Sequence, residues 1–209
     1  MSPSDGAPPA PARGRPRSFD RAIALEQAMR VFWAKGYAGA SMSDLTAAMG
    51  IASPSLYAAF GSKEGLYREA IALYVDTQGG QLWQAMEAPT AREAVERLLR
   101  GVVQSFTSGD CPVGCMVMQT AIETGDLSPE LSTALCEVRA TSGDAVAARL
   151  RRAVDDGEFA PDTDIRAIGD FYATIHKGLS LSAKGGATRE ELDSVVTSAL
   201  LAWAPLTGT

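Results

Sequence analysis

Ser41-Met42-Ser43-Asp44-Leu45-Thr46-Ala47-Ala48-Met49-Gly50-Ile51-Ala52-Ser53-Pro54-Ser55-Leu56-Tyr57-Ala58-Ala59-Phe60-Gly61-Ser62-Lys63-Glu64 is the stretch on which the fold turns. Ser41 and Asp44 form a Ser-x-x-Asp helix start. The apolar face of the short helix that follows is Leu45, Ala48 and Met49, and Gly50 suits its left-handed C-terminal position. Ser53-Pro54 then reads as N-cap and first helical residue of another short helix, which turns Leu56 and Phe60 inward. Ser62 caps a longer helix through Leu66, Ala70 and Leu73, as far as Met86. Upstream, Leu25, Ala28, Met29 and Phe32 share one face of a helix that Gly36 ends.

Two short helices joined by the tight turn Ile51-Ala52-Ser53 fit a helix-turn-helix unit. Its second helix lies in the DNA major groove while its first crosses the backbone. Residues facing base edges there must be short or polar, and Ser53, Pro54, Ser55, Ala58 and Ala59 meet that need. The same spacing occurs in proteins that bind nothing, so spacing alone leaves DNA contact and plain packing both open.

Gly36-Tyr37, Ser41-Met42-Ser43-Asp44-Leu45, Gly50-Ile51 and the run from Leu56 to Leu66 closely resemble the DNA-binding domain of TetR-family transcriptional regulators, over about residues 18–68. The resemblance implies a homodimer whose heads bind a pseudo-palindromic operator in double-stranded DNA, usually as a repressor. It further implies a body that releases DNA on taking up a small apolar effector, whose identity stays open, as does the choice of repressor or activator. By the same resemblance, Tyr57 and Lys63 contact phosphates, Ser41 presents a helix N-terminus to phosphate, and Ser53 and Ser55 touch backbone or base edges. Three departures from the family pattern stand out: Ala40, Thr46 and the pair Ala58-Ala59. The last removes bulky side chains that read bases, so shape readout gains weight.

Outward from this head, residues 1–12 are rich in proline and alanine, and Arg13-Gly14-Arg15-Pro16-Arg17 follows. This basic arm over residues 1–17 places Arg15 and Arg17 to enter a minor groove, or merely solubilises the chain. The expected division is therefore arm 1–17, head 18–66 and body 67–209. Charge divides with it: residues 1–75 hold eight basic and six acidic groups, the remainder 11 and 19. A basic end on an acidic body suits a polyanion-binding head carried by a body with another task.

Beyond Pro89 the pattern stays helical, with segments from Thr90 to Phe106, Val113 to Glu123, Ser128 to Asp155, Thr163 to Lys184 and Thr188 to Trp203. No alternating strand pattern interrupts them, so the fold class is all-α: a three-helix helix-turn-helix head and a C-terminal helical ligand-binding and dimerisation domain. The resemblance assigns dimerisation to the last two helices, with Ile168 and Ile175 on one and Leu192, Val195, Val196, Ala199, Leu200 and Trp203 on the other. Either stripe also suits ordinary core. Candidate effector contacts are Trp83, Met86, Phe106, Met116, Met118, Phe171, Tyr172 and His176, with packing as the competing role for each. Cys111, Cys115 and Cys136 are open between buried packing, a redox pair and soft metal ligands.

The 209-residue composition, 46% hydrophobic and 21% charged with a net charge of −6, is that of an ordinary globular chain. No apolar run reaches bilayer length and the N-terminus lacks a secretory apolar core, which points to the cytoplasm and no membrane partner. His176 is the sole histidine, which excludes paired-histidine metal sites. With no phosphate loop and no Gly-x-Ser-x-Gly elbow either, no catalysis, metal or cofactor is expected. The alternative from another class is an acidic helical enzyme or interaction module on a degenerate head, for which a lone histidine is a poor start.

Overall fold

The computed structural model describes residues 19–122 and 127–208, and every regular element within them is helical. The arm, with Arg15 and Arg17, lies outside the described residues. Helix α1 (Arg21–Gly39) is capped by the Asp20 carboxylate, which accepts from the Ala22 and Ile23 amides. It buries Ala24, Ala28, Met29, Phe32 and Trp33. Gly36, at φ +73°, breaks its regularity three residues before the end. Leu25, expected on the inner face, is only half-buried, and Trp33 replaces it in the core.

Helix α2 (Met42–Met49) opens with a reciprocal capping box between Ser41 and Asp44 and closes on left-handed Gly50. Helix α3 (Ser53–Phe60) follows, and here the expected cap shifts by one residue. Ala52 is the N-cap, with no side-chain bond, and Ser53 is already helical. Pro54 tolerates this because the first helical turn asks no amide donor of it. Helix α4 (Lys63–Tyr74) is capped by Ser62. A Cβ added at Gly65 would lie 2.4 Å from the Phe60 carbonyl oxygen, so α4 can start this close to the end of α3 only with glycine there.

The head–body boundary expected after residue 66 falls inside α4, which runs unbroken to Tyr74. A π-helical turn (Val75–Gly79), the short α5 (Gly80–Trp83) and a 3₁₀ turn (Gln84–Glu87) then fill the span expected as one continuous helix. The body is built on α6 (Ala91–Thr107), whose face of Val95, Leu98, Leu99, Val102, Val103 and Phe106 is buried. Around it stand α8 (Pro129–Asp155), α9 (Ile165–Lys184) and α10 (Arg189–Leu201), and the short α11 (Trp203–Thr207) packs against α10. Thr90, Ser128 and Thr188 cap α6, α8 and α10 as their sequence signals predict. The segment expected from Val113 to Glu123 contracts to α7 (Met116–Gln119), because Gly114 takes a left-handed turn at φ +84°.

A buried ion pair closes the far end of the body. Arg149, 3% exposed, donates to Glu158 Oε1 at 2.7 Å. The other Glu158 oxygen accepts from the Ala91 amide at 2.6 Å, so the pair joins α8 to the start of α6.

Candidate nucleic-acid interface and effector cavity

The head presents α3 outward. Ser53, Pro54, Tyr57 and Ala58 are exposed and Ser55 is half-buried, while Leu56 and Phe60 anchor the opposite face. Tyr57 keeps 49% of its surface open. Lys63, at the start of α4, holds its ammonium 4.5 Å from the centre of the Tyr37 ring, fixing the cation beside the end of α3. Ser41, at the start of α2, is exposed. The seven DNA-contact candidates within the described residues thus share the outer side of one small domain.

Arg21 locks that domain. Its guanidinium reaches both Glu69 oxygens at 2.7 and 2.8 Å and donates to the Ala59 carbonyl at 3.2 Å. It also lies 4.3 Å from the Phe60 ring centre, so one side chain ties α1 to both α3 and α4. Lys35 bridges α1 to α2 through Asp44 at 2.7 Å. That bond and those from Ser41 hold the Asp44 carboxyl down to about 2.

The body opens a cavity of about 550 Å³ between α8 and α9. Its floor is Trp83, Val95, Leu98, Leu99 and Met118; its sides carry Ala140, Gly143 and Ala147 from α8, facing Gly169 and Ala173 from α9. These small residues keep the two helices from filling the space between them. Of the sequence-expected effector contacts, Trp83, Met118, Tyr172 and His176 line the cavity. Met86, Phe106 and Met116 lie in the core instead, at 6%, 4% and 1% exposure. Phe171 is outside the lining and packs edge-on against Tyr172, centroids 5.0 Å apart. Sequence reasoning missed the charged residues at the cavity, Arg139, Asp144, Arg151, Arg166, Asp170 and Lys177. Their helical spacing along α8 and α9 was the available signal.

Within the cavity wall, Nε2 of His176 is buried without a hydrogen-bond partner. Burial, with Lys177 adding to it, pulls this imidazole down to about 4, so it is neutral at pH 7. Tyr172 donates from its hydroxyl to the Ala199 carbonyl at 3.2 Å, and burial pushes its phenol up to about 12.

Two sets of contacts join cavity to head. Trp33 of α1 donates from Nε1 to the Gly114 carbonyl at 2.7 Å, while Ser180 of α9 accepts from the Cys115 amide at 2.8 Å. The segment leading into α7 therefore lies between α1 and α9, and Met118 of α7 reaches the cavity. Separately, the Ser128 hydroxyl that caps α8 donates to Glu64 of α4 at 2.9 Å.

Most dimer candidates are inside the protomer. Ile168, Leu192, Val196, Ala199, Leu200 and Trp203 are at most 7% exposed, which leaves them little surface for a partner. Trp203 packs between Phe159 and Tyr172, each centroid 5.7 Å away. Ile175 is half-buried, and Val195 is 44% exposed. Leu181 and Leu201, which the stripe reading passed over, are 42% and 76% exposed.

The cysteines do not converge with other ligands. Cys115 is buried, and burial pushes its thiol up, away from reactive thiolate. Cys136 is exposed and accepts from Arg139 at 2.8 Å. Among the described residues no group of three or more His, Cys, Asp or Glu is gathered to hold a metal. No helix among them is long and apolar enough to cross a membrane.

A solvent-facing α3 behind a tight turn, carried by a helical body with an internal cavity, defines a helix-turn-helix DNA-binding regulator. Residues 24–70 match the family described as "Bacterial regulatory proteins, tetR family", and residues 89–199 match "Tetracyclin repressor-like, C-terminal domain". Among curated relatives, the HTH-type transcriptional repressor ComR of Escherichia coli (strain K12) is 32% identical over 93% of this chain and 94% of its own. BdcR, another repressor of that strain, is 30% identical over 86% of each chain. Among solved structures, a cysteine mutant of the TetR family regulator CifR, complexed with 26-bp double-strand operator DNA, is 48% identical. It superposes with a TM-score of 0.86 over 90% of this chain and 100% of that one. The chain belongs to the TetR family of DNA-binding transcriptional regulators, which are not enzymes.

Proposed function

We propose that this protein is a dimeric repressor that leaves a pseudo-palindromic operator when a small molecule fills the cavity between α8 and α9. The observation that carries the reading is the double connection from cavity to head. Met118 lines the cavity from α7, next to the segment that accepts from Trp33, and the α8 wall begins at the serine that grips Glu64. A ligand that repacks these walls shifts the heads, and it releases DNA by binding more tightly to a dimer whose heads are wrongly spaced.

Each head inserts α3 into a major groove. Tyr57, Lys63 and the α2 N-terminus at Ser41 hold phosphates, Ser53, Pro54, Ser55 and Ala58 face base edges, and Arg15 and Arg17 enter the adjacent minor groove. A second copy covers Leu181, Val195 and Leu201, since one short recognition helix reads too few base pairs alone. The solved complex of CifR with operator DNA supports the DNA side of this reading.

Fluorescence anisotropy with the promoter DNA beside its own gene tests it. Tyr57→Phe and Lys63→Ala are expected to weaken binding to every sequence, and Lys63→Ala to flatten the salt slope by about one unit. Loss confined to particular sequences would show that these residues are not phosphate contacts. Deleting residues 1–17 tests the arm; unchanged affinity at matched salt removes it from the interface.

A further inference from the structure

We infer that the cavity takes an amphipathic organic anion, an apolar chain or ring system ending in a carboxylate, with its body over Trp83, Leu98, Leu99 and Met118 and its charged end at Arg139 and Lys177. This rests on the reading of the cavity as the effector site, and it assigns the chemical class that the site selects.

The lining has two chemically distinct parts. The floor, from α5, α6 and α7, is apolar throughout. All the charged groups come from α8 and α9, four cations against two carboxylates. Arg166 and Asp170 face each other at 3.9 Å and are almost fully solvated, so they largely cancel at the outer rim. Arg151 lies at the same end, next to Leu150, which meets Gly169, and about 18 Å along α8 from Arg139. The other end keeps Arg139 and Lys177, opposed by Asp144 alone.

Neither of these two cations makes an ion pair among the described residues. Arg139 donates only to uncharged partners, the Thr120 hydroxyl at 2.6 Å and the Cys136 sulfur. The first of these bonds orients the guanidinium, which is half-buried. Lys177 is exposed on α9. A carboxylate suits an arginine fork better than any neutral group of its size, because two parallel charge-assisted bonds form at once.

His176 supplies the remaining polar anchor. Its buried Nε2 lacks a partner although such atoms are nearly always satisfied, and it sits one residue before Lys177. A polar atom near the charged end of the ligand completes it. The slot between Gly143 and Ala147 on one side and Gly169 and Ala173 on the other admits the narrow apolar body.

Three probes of equal chain length and different head separate the possibilities: octanoate, octanol and octylamine, titrated calorimetrically into the full-length protein at pH 7.5. Octanoate is expected to bind about tenfold more tightly than either of the others. Arg139→Gln with Lys177→Gln should remove that preference while leaving octanol affinity unchanged. Gly143→Leu, at a position where an added Cβ meets nothing within 4 Å, should block all three probes in a folded protein, checked by its melting temperature. Octanol or octylamine binding as tightly as octanoate overturns the anion assignment, as does the absence of octanoate binding. Operator release is read separately: octanoate that binds with the stated preference yet leaves the operator complex intact keeps the assignment and overturns the regulatory role of the cavity.

Discussion

The head and the body of this protein use the same material, amphipathic helices on apolar cores, to opposite ends. In the head the helices close on one another so tightly that Gly65 has no room for a methyl group, and the proposed contacts among the described residues are exposed or half-buried. In the body, Ala140, Gly143 and Ala147 of α8 and Gly169 and Ala173 of α9 leave a space unfilled, and the chemistry lies there. A rigid surface suits a partner whose shape is fixed, such as a duplex. A space left unfilled suits a partner whose arrival is meant to move its walls.

The sharpest way to break this division is to damage one region and read the other. Leu56 is fully buried under α3, and Leu56→Ala should cost about 2–5 kcal/mol through lost contacts and a cavity. Operator binding is expected to disappear while octanoate titrates normally. Loss of both would mean that α4, running without a break from head into body, makes them one cooperative unit.

Acid should strike the body first. His176 titrates at about 4 in the folded protein, below its ordinary 6.5. As pH falls below 6.5 the unfolded chain takes up this proton before the folded one, so stability falls progressively until about pH 4; above 6.5 the group contributes no loss. The shift corresponds to roughly 3 kcal/mol at the acid end. His176→Gln should flatten the melting temperature between pH 6.5 and 4, and an unchanged pH profile would show that the imidazole is not held neutral by burial.

The same contrast explains what could be read from the chain alone. The head was legible because its signals are local: the Ser41–Asp44 box, Gly50 and Ser62 each set an end of a helix within four residues of themselves. One cap was displaced, from Ser53 to Ala52, since proline fits either of the first helical positions equally well. In the body, periodicity identified which faces turn inward but not which inward faces meet. Met86, Phe106 and Met116 therefore read like Trp83 and Tyr172, although only the latter two border empty space. The slot itself is made by residues that are absent as bulk, and alanine at a helical position carries no signal of its purpose. Nothing near Arg149 or Glu158 in the sequence announces that their pair meets the start of α6.

Gly114 tests the junction of the two regions. At φ +84° it accepts from Trp33, and an added Cβ would sit 3.1 Å from both the Ser180 carbonyl oxygen and Gln119 Nε2. Gly114→Ala is expected to cost about 1–3 kcal/mol in backbone strain, measured by denaturant unfolding. It should also blunt operator release more than operator affinity, because the head surface is untouched. Equal losses in both would place the segment in the common core with no part in communication.

Ser128 carries the smallest expected effect and the clearest separation of roles. Its hydroxyl accepts from the Leu131 amide as the cap of α8 and donates to Glu64 in the head. Arg68 and Ser128 together hold the Glu64 carboxyl below its usual range, so it is charged at neutral pH. Ser128→Ala removes both bonds and should cost about 1 kcal/mol. Ser128→Asp restores the cap, since aspartate serves that position as well as serine, but sets a carboxylate against Glu64. If the Glu64 bond transmits cavity occupancy, the aspartate variant melts close to the parent yet needs more octanoate to leave the operator. If the bond only supports α8, both readings return to parental values with the cap, and communication runs through Gly114 and Trp33 alone.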